Sequence, residues 1–235
     1  MTGDKTQKLF VPSSGPDRVV LNWTGSPEEQ LKFYAEAFHG AGKKLASQYE
    51  DEWPLSSFEA CAIIYLYRHA FELYLKAVLV NGCDLLLWRG KPPIDLDKVI
   101  GEDSRHILTD FVPDLERVFQ EAGWGWDIGI DGFRSRKNFT GIIAEFDKHD
   151  RRSFAFRYSM DKKRRAALPR HFSFGMVNFV SLVDPLLEAL HGATDGLKQI
   201  VDDERQAGGG VLDGGGQPRI LNWGRDEGHN KPETS

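Results

Sequence analysis

Cysteine is scarce in this sequence: two residues, Cys61 and Cys83, in a chain of 235. If one continuous helix joins them, they stand about 33 Å apart at roughly 1.5 Å per residue. A disulfide needs Cα atoms within about 7 Å, so the two cannot pair within one chain, and Cys61 reads as a small core residue. No nearby CxxC or HxxxH pattern accompanies the thiols, and two thiols alone do not make a zinc site. No metal and no cofactor is expected. Long uncharged apolar runs are also missing. The closest, Ala60 to Val80, contains Arg68, His69, Glu72 and Lys76, which falls short of the roughly 18 residues a membrane span requires. The N-terminal MTGDKTQKLF has no apolar stretch of signal-peptide length. The expectation is a cytoplasmic protein without membrane contact.

Basic charge is in deficit too, with a net charge of −5, which argues against a generally basic nucleic-acid binder. The deficit is uneven. Arg134 to Arg170 carries 12 Lys and Arg against 4 Asp and Glu, a net of +8, which leaves −13 for the rest. Such asymmetry creates a local positive field on an acidic protein; it also fits a solvated loop with flanking helix faces. What the chain does have is a hydrophobic fraction of 40% and an aromatic fraction of 11%, the composition of a folded protein.

Three regions follow. Residues 1–25 are turn-rich and extended, and Arg18-Val19-Val20-Leu21-Asn22-Trp23 is β-like. Residues 26–205 carry helical periodicity. Residues 206–235 hold Gly208–Gly210 and Gly214–Gly216 and read as a flexible tail. Arg219-Ile220-Leu221-Asn222-Trp223 echoes the N-terminal run. The two segments could pair, dock their tryptophans on the bundle, or match by chance.

In the helical region, Ser26, Pro27 and Glu29 announce a first helix. Leu31, Tyr34, Phe38, Ala41, Leu45 and Tyr49 mark its apolar face, and Trp53-Pro54 ends it. The next helix is expected from Phe58 to Asn81 with Gly82 as its stop. It is apolar almost all round, the mark of a helix surrounded by others. A third, about Ser104 to Ala122 and bent at Pro113, carries Leu108, Phe111, Leu115, Val118 and Phe119. The Gly123–Gly132 run reads as a short extended loop, and its glycine-interrupted aspartates do not form a calcium loop. A fourth helix spans about Lys137 to Lys148. A fifth spans about Phe172 to Asp203, kinked at Pro185. The fold class is an all-α bundle of about five helices.

Three segments resemble HEPN-like helical bundle proteins of bacteria. They are Tyr67-Arg68-His69-Ala70-Phe71-Glu72-Leu73-Tyr74-Leu75-Lys76, Arg105-His106-Ile107-Leu108, and Phe156-Arg157-Tyr158-Ser159-Met160-Asp161, the last similar to an FRYP-type signature. The resemblance covers about residues 27–203. It implies RNA or nucleotide binding, a defence or toxin–antitoxin setting, and homodimers. Active RNases of the superfamily carry Arg-x(4–6)-His at the start of a late helix. Arg165 and His171 match that spacing, but Pro169 between them opposes a helical presentation. RNase activity therefore does not follow from the resemblance; if present, it would be metal-independent.

Candidate site residues come from the charge pattern. Arg68, Glu72 and Lys76 lie at i, i+4 and i+8, a polar stripe on an apolar helix, with His69 at its border. Buried charges are costly unless paired. The stripe is either an ion-pair ladder fixing bundle register or a cleft in which Arg68 binds an anion and His69 shuttles protons. His106, at a helix N-terminus, could cap the helix or accept a proton. Arg157 and Tyr158 could clamp phosphate and stack a base, or anchor their loop. Lys162, Lys163, Arg164 and Arg165 are the best phosphate contacts. Trp124 and Trp126 could stack bases or plug the bundle end. The alternative to RNA or nucleotide binding is a non-catalytic, antitoxin-like module with a protein partner.

Overall fold

The computed structural model describes residues 16, 18–21, 29–51, 57–101, 106–129 and 133–208. They form six α-helices and one 3₁₀ turn, with no β-strand among the described residues. The helices are α1 (Gln30–Asp51), α2 (Ser57–Trp88), α3 (Leu96–Ile100), α4 (Val112–Ala122), α5 (Arg136–Asp150) and α6 (Met176–Gly208). The 3₁₀ turn, Leu108–Phe111, leads directly into α4. This is the expected all-α bundle, with the short α3 in addition.

The axis of the bundle is α2, against which α1, α3, α4 and α6 pack. Phe71, Leu75, Val78 and Leu79 are fully buried on it, and each such side chain contributes about 1.5–3 kcal/mol on leaving water. From the α5 side, Phe139 and Phe146 bring their rings to 6.2 and 5.6 Å from that of Phe71. Along α6, Val183, Leu186, Leu187, Leu190, Leu197 and Val201 recur at helical spacing and line the core. Pro185 stands inside α6 without ending it.

Gly82 does not stop α2. The helix runs six residues further, because Gly82 is a packing notch: a Cβ there would come within 2.3 Å of Val118 Cγ2 on α4. The stop is supplied by Gly90 at φ +66. The amide of Lys91 returns to the carbonyl of Leu86 at 2.8 Å, closing the last turn. The continuous helix also separates the two cysteines, and both are free thiols.

The buried face of α1 differs from the expected one. Tyr34 and Leu45 are exposed, whereas Ala35, His39 and Ala46 are buried. Small residues win this face because α1 lies close on α2; a Cβ on Gly42 would reach 2.9 Å from the Tyr67 ring. Pro113 opens α4 instead of bending it, the position where a missing N–H costs nothing. Ser173 and Gly175 are poor helix formers, and α6 begins at Met176, later than expected. Arg18 to Leu21, the described part of the β-like run, form no strand. Ser26, Pro27, Trp53, Pro54, Arg105 and the echo at 219–223 lie outside the described residues.

Candidate functional site

The polar stripe on α2 is a closed charge ladder. Arg68 has no exposed surface. Its guanidinium donates to Glu72 Oε2 at 2.9 Å, to the His106 carbonyl at 2.5 Å and to the Asp150 carbonyl at 3.1 Å. The carboxylates of Asp147 and Asp150 lie 3.9 and 3.8 Å away. Glu72 is itself buried, with Oε1 at 3.1 Å from Lys76 Nζ and 2.8 Å from His106 Nδ1. Burial alone would raise the Glu72 carboxyl. The Lys76 ammonium, the Arg68 guanidinium and the His106 contact together outweigh burial and hold it below its usual range.

The ladder ties two loops to the core helix. In the first, Asp147 accepts from the amides of Leu108 and Thr109 at 3.0 and 2.7 Å. Asp147, and not His106, thus caps the 3₁₀ turn, where a negative charge suits the helix N-terminus. In the second, Asp150 Oδ1 accepts from the amides of Phe154 and Ala155. Arg68 therefore fixes the point from which the basic segment departs.

His69 does not join the ladder through a hydrogen bond. Its ring stacks on Tyr65 at 5.6 Å and meets the Phe38 ring edge-on at 4.4 Å. Burial, ahead of the neighbouring charges, pushes its pKa down. Of the four residues expected to carry chemistry, Arg68, Glu72 and His106 converge, and His69 is set aside among aromatic rings. Only His106 among the converging three reaches solvent, with 55% of its side chain exposed. Arg68, wholly enclosed, has no face left for a substrate.

The basic segment is built around Asp161. Its Oδ1 accepts from the amides of Lys163 and Arg165 at 2.8 and 2.9 Å, and its Oδ2 accepts from Arg165 Nε at 2.7 Å. A bridge between Met160 and Ala166 closes the turn, and Arg164 takes up the left-handed conformation at φ +59. Consequently Arg165 is paired with Asp161, while Lys162, Lys163 and Arg164 are exposed and make no ion pair among the described residues. The Arg165-to-His171 stretch is not helical, as Pro169 requires. Arg157 lies with its guanidinium 5.4 Å from the Tyr65 ring centre and 5.6 Å from that of Tyr158, cation–π contacts that anchor the loop on α2. Tyr158 is half exposed.

Trp124 and Trp126 plug the bundle. Their rings pack on Phe119 at 5.7 and 4.9 Å, and Trp126 also meets Phe139 at 5.3 Å. A separate polar staple, unforeseen in the sequence, joins α1 to α6. His39 Nε2 lies 2.8 Å from Asp184 Oδ1, and Lys43 Nζ reaches Asp184 and Glu188 at 3.4 and 3.0 Å. The Glu188 bond leads in raising the Lys43 pKa. No cluster of three potential metal-ligating side chains exists among the described residues. No described helix is long and apolar enough to cross a membrane. Comparison with family models, with curated proteins and with solved structures gives no match.

Proposed function

We propose that this chain is an HEPN-like RNA-binding protein whose contact surface is the basic loop at 151–170. In this reading the Arg68 ladder is the anchor of that surface and not a centre of catalysis. The observation that carries it is the Asp161-centred turn, which presents Lys162, Lys163 and Arg164 to solvent without acidic partners among the described residues. Exposed cations held on an ordered turn can replace condensed counterions on a phosphate backbone, the main source of sequence-independent affinity. Arg151, Arg152 and Arg170 are exposed on the same segment and extend the positive surface.

The test is titration of a labelled single-stranded RNA, followed by fluorescence anisotropy across a salt series. The triple variant K162Q, K163Q, R164Q should bind more weakly at every salt concentration. Its slope of log affinity against log salt should be shallower by about 2, at roughly 0.7 per lost phosphate contact. Salt-independent binding, or a variant with the parent's slope, overturns the proposal. The enclosed Arg68 also suits the second reading, a non-catalytic interaction module. Such a module would ignore RNA in this titration and bind a partner protein stoichiometrically.

A further inference from the structure

Next to the basic segment lies a cavity of about 520 Å³, between α5, α6 and the loop that precedes α6. Its volume is within the range of small-molecule sites. The walls are aromatic: Phe156, Phe172, Phe174, Phe179 and Phe146 follow one another with ring centres 6.0, 5.6, 6.1 and 6.0 Å apart. His149 adds a further ring, 4.9 Å from Phe172. The rim is polar, with His171, Ser173 and Asn178 exposed beside the rings. Glu145, the one carboxylate lining the cavity among the described residues, is already engaged by Lys148 and His149 at 3.1 and 3.0 Å.

The chain that lines this cavity also carries the cations. Arg170 stands between the lining residues Pro169 and His171, and Arg151 and Arg152 follow His149 by two and three positions. Aromatic walls, a hydrogen-bonding rim and nearby positive charge match an unpaired nucleobase attached to a phosphate backbone. A lipid chain would leave the rim groups unused, and an acidic peptide would leave the rings unused. We infer that the cavity receives one unpaired base of the RNA strand, packed against Phe172, Phe174 and Phe179, while Arg170, Arg151 and Arg152 hold the adjoining phosphates. The inference rests on the RNA-binding reading and adds to it the chemical group that the protein reads.

The experiment compares two strands of equal length and charge, an oligoadenylate and an abasic sugar-phosphate strand, titrated against the full chain. Stacking is sequence-tolerant and strong for each base, so the oligoadenylate should bind about tenfold more tightly. N178W, which places an indole in the mouth of the cavity, should bring oligoadenylate down to the abasic level and leave abasic binding unchanged. F174A, which removes an exposed wall, should reduce the preference without touching the cations. Circular dichroism checks that both variants are folded. Equal affinity for the two strands, or a preference that survives both substitutions, overturns the base pocket. Salt-sensitive binding of the abasic strand with no preference leaves the RNA-binding proposal standing and removes this one alone. Failure of both strands to bind removes both.

Discussion

Replacing Arg68 with methionine keeps a long unbranched stem in the same space but removes every donor that the guanidinium gives the ladder. Three acceptors then lose their partner: Glu72 Oε2 and the carbonyls of His106 and Asp150. Glu72 is only 2% exposed, so its charge is left with Lys76 and His106 alone. Breaking a buried pair from one side costs about 3–5 kcal/mol. That is a large part of the roughly 5–15 kcal/mol that stabilises a typical protein. In a chain of this size it corresponds to a fall in Tm of about 6–20 °C. The second half of the experiment is the double variant R68M, E72M. It removes the stranded carboxylate as well, so it should cost clearly less than the sum of the two single substitutions. The assay is urea unfolding followed by circular dichroism and tryptophan fluorescence, with coincident transitions required. A loss below about 1 kcal/mol for R68M, or additive losses in the double variant, would refute the claim that the ladder fastens the two loops to the core helix.

Gly82→Ala gains about 1 kcal/mol of helix propensity but drives a methyl group onto Val118. Overpacking of this kind costs about 1–3 kcal/mol, so urea unfolding should show net destabilisation, relieved by Val118→Ala in the same chain. Asp161→Ala removes a negative charge from the basic surface, yet RNA affinity should fall, because the turn that orders Lys163 and Arg165 is lost; a rise would show that charge alone matters. Acid should destabilise the protein in two stages. His69 has a lowered folded pKa, so its contribution is complete above its unfolded value near 6.5 and declines as pH falls below it. Glu72 is also lowered, so its contribution is complete above about 4.5 and is lost as pH falls through its folded value. His69→Phe should flatten the first stage only, as read from unfolding midpoints between pH 7 and 5.

The parts of the fold that could be read from the sequence were those written in apolar volume. Phe71, Leu75, Val78 and Leu79 announce a surrounded helix whatever packs on it, and α2 is that helix. On α1 the same logic selected Tyr34 and Leu45 because they are large. The bundle instead buried Ala35, Gly42 and Ala46, since close approach of two helices rewards small residues, and size-based periodicity does not register them. Gly82 carried both meanings at once. A glycine near a helix end suggests a stop, and only the position of Val118, far along the chain, makes it a notch.

The candidate site was half legible for a related reason. Arg68, Glu72 and Lys76 are neighbours on one helix, so their spacing shows them together. Their remaining partners come from elsewhere: Asp150 is 82 residues from Arg68, and His106 is 34 residues from Glu72. Nothing in local spacing marks Asp147 and Asp150 as the acids that close the ladder, although two buried cations against one carboxylate on α2 demand a further counter-charge from some neighbour. The basic run at 162–165 was visible as composition. That Asp161 takes Arg165 for itself and leaves the other three outward is a matter of turn geometry, which composition does not contain.

Arg68 grips the carbonyl of His106 and that of Asp150 with one guanidinium, and the two acids beside it clasp the amides of Leu108, Thr109, Phe154 and Ala155. These two stretches, far apart along the chain, share a single fastening, so neither can swing open while the other stays shut. Their amide protons should therefore exchange with solvent in step, as one cooperative unit, and loosening the fastening in the interior would be felt first at the exposed turn outside.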